Sequence, residues 1–271
     1  MVEEKFASNE QDSRAGSAQS RQGMVSSFRF MRIFVGFSGL LLPFFLLIGG
    51  EVFDLKHNPD SSISAYYFSP MREIFVGTLF VVGGFLFCYR GRYNSKHDFP
   101  PDNWILNAAG VFLIIVAVFP TNLDCNDPKD QCTAIFSHEP DISDTADTSM
   151  RLEQLFDVPQ LIGGIHFVSA ALFFILMAFM SIRRFTRWPP HWERTREALR
   201  IKFWRNLIYL TCGWGMLIFI ALVPATSDSL LGKFLGDGTV FWLEAFAMWA
   251  FAIVWLVSGQ IVPWISSDER S

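Results

Sequence analysis

The chain has 271 residues, of which 51% are hydrophobic and only 18% are charged. Soluble domains usually carry about 25% charged residues, so this composition argues against a water-soluble domain and favours a protein partly solvated by lipid. The formal net charge of −4 is mild, and it gives no reason to expect a nucleic-acid partner.

The N-terminal segment 1–28 is polar and of mixed charge. It lacks the apolar core and the small-residue cleavage site of a signal peptide, so the first apolar stretch is expected to act as an uncleaved targeting signal. Its Ser, Gln, Glu and Ala residues bury too little surface to offset the entropy of ordering. The sequence therefore predicts a disordered cytoplasmic tail.

Six apolar stretches follow, at residues 33–50, 74–89, 104–119, 161–182, 207–223 and 240–262. A helix that crosses the hydrocarbon core needs about 20 residues, and the two shortest stretches approach that length with their interfacial neighbours. Lipid offers no partner for unpaired backbone groups, and the stretches lack the alternation of barrel strands. We predict an all-α polytopic bundle of six transmembrane helices at 29–265, followed by a short cytoplasmic tail at 266–271.

Basic residues are distributed unequally between the two sides of this bundle. The two termini and the second and fourth loops together carry 17 Lys and Arg residues, and the remaining loops carry 5. Because an excess of Lys and Arg marks the cytoplasmic side, both termini are predicted to lie inside.

The third loop, 120–160, is long and acidic and falls on the outer side. Cys125 and Cys132 lie within it, with six residues between them that include a proline. In an oxidising compartment this spacing favours a disulfide bond, with two free thiols as the alternative.

The fourth loop, 183–205, is basic and falls on the inner side. Aromatic and aliphatic residues recur there at helical spacing among several cations. This pattern predicts an interfacial helix that lies against membrane lipid, although a simple topology determinant remains the alternative. The cations expected to meet anionic headgroups are Arg194, Arg196, Arg200 and Lys202.

Ionisable side chains at membrane depth are costly, so they are candidate functional groups. If the outer helix ends converge, seven residues would line one outward-facing polar pocket: Tyr66, Arg72, Glu73, Asp124, His166, Ser169 and Glu244. Within it we predict an ion pair between Arg72 and Glu244, because a guanidinium can hold a carboxylate ionised. The alternative is that Arg72 pairs with Glu73 or with a lipid phosphate.

Three functions remain open for this pocket. A binding or scaffolding bundle requires nothing beyond the features described. A membrane-embedded lipid hydrolase would use His166 as a base or a metal ligand, but no HExxH or paired-His spacing occurs, and neither a metal nor a cofactor is predicted. A transporter would need a polar path through the midplane, whereas the middles of the spans are nearly all apolar.

The segments SISAYYFSPMREIFVGTLFVVGGFLFCYRG and NAAGVFLIIVAVFPT, within residues 60–122, carry a resemblance to a known family. They resemble an uncharacterised family of bacterial integral membrane proteins, classed under a domain of unknown function. The six-helix layout is more distantly similar to membrane proteins of the DRAM and Sfk kind. The resemblance implies a multi-pass protein of a bacterial inner membrane and supplies no settled activity.

Overall fold

The structure is a computed structural model that describes residues 2–52, 62–89, 101–121, 159–186, 195–227 and 238–259. Every regular element in these ranges is helical, which confirms the predicted all-α fold. The elements are α1 (Val2–Val52), a 3-10 helix (Ser64–Phe68), α2 (Arg72–Cys88), α3 (Asp102–Val118), α4 (Pro159–Phe179) with a π-helical continuation (Met180–Phe185), α5 (Arg196–Ser227) and α6 (Thr239–Ser258).

Four helical segments are long and apolar enough to cross a membrane: Arg29–Val52, Gly163–Arg183, Arg196–Thr226 and Thr239–Ser258. Large apolar side chains stay exposed on them, among them Phe45, Val168 and Trp214, as expected of a surface that faces lipid. Helices α2 and α3 have 17 residues each, which gives a length of about 25 Å. The chain is a helical membrane protein in which two short helices pack among four longer ones.

The six helices form a closed ring in chain order. Each helix contacts the helices that precede and follow it, and α1 also contacts α6, which closes the ring. Neighbouring helices run in opposite directions: the end of α3 at Phe119 meets the start of α4 at His166, and the end of α2 at Tyr89 meets Arg32 of α1. Every helix can therefore direct one face towards a shared centre.

Two arginines of α1 link neighbouring helices at one end of this ring. The Arg32 guanidinium donates to the Tyr89 hydroxyl (2.9 Å) and to the carbonyl of Ser258 (2.9 Å). Arg29 donates to the carbonyl of Gly259 (3.1 Å). The last carbonyls of a helix have no intrahelical donor, and arginine side chains are suited to satisfy them. These bonds tie α1 to the ends of α2 and α6.

Helices α2 and α3 approach most closely at two glycines. A Cβ atom on Gly110 would lie 2.5 Å from the carbonyl oxygen of Gly83 and 2.7 Å from the backbone nitrogen of Phe87. Glycine is required here because both obstructing atoms belong to the backbone and have no rotamer by which to move away.

Two elements differ from the sequence-based expectations. Helix α1 continues back to Val2, whereas a disordered tail is predicted for 1–28; the Glu, Gln, Ala, Lys and Arg residues of this segment are strong helix formers. Helix α5 runs unbroken from Arg196 to Ser227, whereas the sequence suggests a separate interfacial helix before a span at 207. Most of the outer loop 120–160 lies outside the described residues.

Candidate functional site

The 3-10 helix and the residues around it bring backbone polar groups to the end of the ring where α2 begins. Ile63 and Tyr66 are buried, at 3% and 1% exposure. The Tyr66 ring packs on Phe241 of α6, with 6.2 Å between the ring centroids, and a Cβ on Gly50 of α1 would lie 3.2 Å from the Tyr66 hydroxyl. The segment therefore packs between α1 and α6. Its later N–H groups donate to carbonyls within the segment, whereas the N–H groups of Ile63 and Ser64 need other partners inside the bundle.

Glu244, in the second turn of α6, supplies those partners. Its Oε2 atom accepts hydrogen bonds from the Ser62 hydroxyl (2.8 Å), the Ile63 N–H (2.6 Å) and the Ser64 N–H (3.4 Å). Within the described residues, no donor contacts Oε1. One carboxylate oxygen therefore fixes the segment, and the other is left available to a ligand.

His166, in α4, joins the same segment to the end of α3. Its Nδ1 lies 2.7 Å from the Phe119 carbonyl oxygen and its Nε2 lies 3.0 Å from the Ser64 Oγ. A carbonyl oxygen can only accept, so Nδ1 carries the proton of the neutral ring, and Nε2 accepts from the Ser64 hydroxyl. Ser62, Ser64, His166 and Glu244 together form what we call the polar cluster.

A cavity of about 720 Å³, its open mouth included, lies inside the ring and reaches the polar cluster. All six helices contribute to its wall. Aliphatic and aromatic side chains form most of this wall, and Ser64 and Glu244 stand among them. We call this the central cavity; its apolar lining residues include Leu42, Leu79, Leu113, Ala170, Phe173, Ile220, Met248 and Phe251.

This cavity differs from the predicted pocket in two respects. The prediction is of an outward-facing polar pocket, whereas apolar side chains form most of the wall of this cavity. The predicted ion pair between Arg72 and Glu244 is wrong. Arg72 instead lies 3.9 Å from Glu73, donates to the Tyr67 hydroxyl at 3.1 Å and stacks over the Tyr67 ring. Neither Arg72 nor Glu73 lines the cavity.

The structure brings some of the other predicted residues together and not others. Tyr66 packs beside the cluster, and Ser169 is buried one turn from His166 without lining the cavity. Asp124 and the predicted disulfide of Cys125 and Cys132 lie outside the described residues.

The segment that begins SISAYY carries part of the family resemblance, but the predicted pocket leaves out three participants. They are Ser62, Ser64 and the carbonyl of Phe119. Serines are too common for their type to signal a site, and a backbone carbonyl gives no sequence signal at all.

The predicted basic surface is divided between two environments. Arg196 and Arg200 are exposed in the first turns of α5. Lys202 is buried, at 4% exposure, and donates to the carbonyl of Phe185 (3.4 Å). Arg194 lies outside the described residues. The structure thus separates Lys202 from the exposed arginines with which it is grouped by sequence.

Comparison with known proteins identifies a family and supplies no activity. A family model described as "Protein of unknown function (DUF998)" matches residues 38–258, which is most of the chain and nearly all of the helix ring. No curated protein and no solved structure matches the chain.

Proposed function

The chain belongs to this family of unknown function, and we propose from its own residues that it binds an amphiphile inside the helix ring. The occupant is a membrane lipid with a single acyl or alkyl chain. The hydrocarbon chain of the lipid fills the central cavity, and the polar end of the lipid contacts Ser64 and Glu244.

The observation that carries this proposal is an apolar cavity whose wall includes Glu244, a carboxylate with no donor on its Oε1 atom among the described residues. Aliphatic and aromatic side chains form most of the cavity wall, and its polar lining residues are Ser64, Thr78 and Glu244. Small-molecule sites combine an apolar wall with a few placed polar groups that fix the orientation of the ligand. Oε1 of Glu244 can accept a hydrogen bond, which favours a lipid whose polar end carries a hydroxyl group.

The placement of the protein in its membrane belongs to the same proposal. The chain crosses a bacterial inner membrane six times with both termini in the cytoplasm, because the basic residues are concentrated on that side. Cys125 and Cys132 form a disulfide bond in the outer loop, and the polar cluster faces the outer leaflet. Arg194, Arg196 and Arg200 contact anionic headgroups of the inner leaflet, together with Lys202 if its ammonium group turns out of the bundle.

Lipid retention in a matched pair of variants tests the binding proposal. Ala170→Phe fills the cavity, because Ala170 lines it. Val168→Phe adds an aromatic ring of the same size two residues earlier on the same helix, where the side chain is 59% exposed to lipid. Extraction and mass spectrometry of the purified protein should find one lipid per chain in the wild type and in Val168→Phe, and far less in Ala170→Phe.

Two results would overturn the proposal. One is a wild-type protein without bound lipid at stoichiometric level. The other is equal retention by the two variants when both melt as cooperatively as the wild type. If Ala170→Phe does not fold, Leu113→Phe fills the cavity from α3 and provides the same comparison.

A further inference from the structure

The contacts of Ser64 place a hydroxyl group, an imidazole and a carbonyl oxygen in series. The Ser64 Oγ lies 3.0 Å from Nε2 of His166, and Nδ1 of His166 lies 2.7 Å from the Phe119 carbonyl oxygen. A nucleophile within hydrogen-bond reach of a base, with the base held by a third group, is the arrangement that activates serine in acyl transfer. Here a backbone carbonyl takes the orienting position that a carboxylate often occupies.

The orientation of this series is fixed by elementary hydrogen-bond chemistry. The Phe119 carbonyl has no proton to give, so Nδ1–H must donate to it, and Nε2 of the neutral ring presents its lone pair to Ser64. The Ser64 hydroxyl group is then the donor, as a nucleophile that loses its proton must be. His166 is 1% exposed, which limits the ways in which its ring can turn out of this geometry.

Ser64 is half-buried, and it differs from Ser181 and Ser258, two buried serines of the described helices, in what its hydroxyl group contacts. Ser181 donates to the carbonyl of Tyr209 in α5 (2.7 Å) and Ser258 donates to the carbonyl of Trp255 in its own helix (2.9 Å); neither serine lines the central cavity. Ser64 contacts an imidazole on one side and lines the central cavity on the other. An occupant of that cavity would therefore contact Ser64.

We propose that Ser64 and His166 are the nucleophile and the general base of an esterase that cleaves a single-chain lipid ester held in the central cavity. This inference rests on the proposed function, because the acyl chain must occupy the cavity for its carbonyl carbon to reach Ser64. Glu244 is a positioning residue that holds the Ser62–Ser64 backbone through its Oε2 atom.

The reaction is balanced with water as the co-reactant. Ser64 Oγ attacks the acyl carbon while Nε2 of His166 takes the hydroxyl proton. The tetrahedral intermediate collapses, the bond from the acyl carbon to the alcohol oxygen breaks, and His166 gives its proton to the departing alcohol. Water then attacks the acyl-Ser64 ester with His166 again as base, which releases the fatty acid and restores the hydroxyl group.

A long-chain alkyl fluorophosphonate tests the reactive pair directly. The Ser64 oxygen would displace fluoride and form a stable phosphonyl ester that peptide mass spectrometry can assign to one residue. Labelling should occur at Ser64 in the wild type and disappear in Ser64→Ala. It should fall by about 100-fold or more in His166→Gln, because glutamine keeps hydrogen-bonding capacity at this position and cannot serve as a base. Ser169→Ala, which removes a buried serine three residues after His166, should label like the wild type.

Lipid retention measured on the same preparations separates this inference from the binding proposal. Retained lipid together with no adduct on Ser64, or with equal labelling rates in His166→Gln and the wild type, overturns the esterase and leaves binding intact. An adduct on Ser64 in a protein that retains no lipid would overturn the binding proposal and preserve the reactive pair. Cooperative melting of His166→Gln shows that its labelling rate is that of folded protein; if it does not fold, His166→Asn provides the same comparison.

Discussion

At the scale of single residues, the polar cluster shows how a membrane bundle accommodates backbone that is not α-helical. The Ile63 and Ser64 N–H groups would be costly at this depth without acceptors. Glu244 satisfies both from a helix about 180 residues later in the sequence, and its carboxylate is surrounded by donors in return. The site and the local fold therefore depend on the same side chain.

Removal of this acceptor should destabilise the protein measurably. In Glu244→Leu the Ser62 hydroxyl and the Ile63 N–H lose their partner, and an unsatisfied buried group costs about 1 to 3 kcal/mol. We expect a loss of about 2 to 4 kcal/mol in the free energy of unfolding. Glu244→Gln keeps an acceptor oxygen and should lose less. Thermal or denaturant unfolding in detergent measures both variants, and equal losses would show that the three hydrogen bonds contribute little.

The failed prediction for Arg72 shows what sequence can and cannot provide at this scale. The unusual positions of Arg72 and Glu244 were visible, because both charges lie near the end of an apolar span. Glu73 was visible as the alternative partner of Arg72, and the structure confirms that alternative. The partners of Glu244 were not visible, because the backbone N–H groups of Ile63 and Ser64 give no sequence signal. A search that pairs charged side chains omits backbone donors, and here the backbone supplies two of the three hydrogen bonds to the carboxylate.

At the scale of the elements, the two short helices determine where the site forms. Helix α2 begins only at Arg72. The residues before it form the 3-10 helix, which places Ser64 inside the ring. Helix α3 ends at Val118, which exposes the Phe119 carbonyl to His166. Apolar runs in the sequence predicted all six helices to within a few residues at the ends of α2 and α3. Which residues contact those helix ends depends on how the helices pack, and the apolar runs carry no information about packing.

The crossing of α2 and α3 is the most sensitive point of this arrangement. Gly110→Ala should destabilise the protein by about 1 to 3 kcal/mol, because the new methyl group meets backbone atoms of α2 and the helices must separate. Gly84→Ala is the matched control, since a Cβ on Gly84 would meet nothing within 4 Å. Unfolding of both variants in detergent measures the difference, and similar stabilities would mean that the helices are farther apart than described.

At the scale of the whole molecule, a closed ring of six helices leaves space at its centre. Antiparallel neighbours bring the ends of α2, α3, α4 and α6 to the polar cluster, while Arg29 and Arg32 fasten the opposite end. The sequence predicted a bundle and raised convergent helix ends as a condition for a pocket. It could not predict a cavity, because the cavity depends on how closely six helices pack around a common axis.

The most direct test of the binding proposal is to locate the hydrocarbon chain of a lipid within the ring. A single-chain glycerol ether lipid with a diazirine at the middle of its chain cannot be cleaved by an esterase, and irradiation links it to the side chains that surround it. Peptide mass spectrometry should find the adducts on cavity-lining residues such as Phe173, Met248 and Phe251. Adducts confined to residues exposed to lipid, such as Val168 and Ile175, would contradict the account, because they would show that the lipid surrounds the protein and does not enter it.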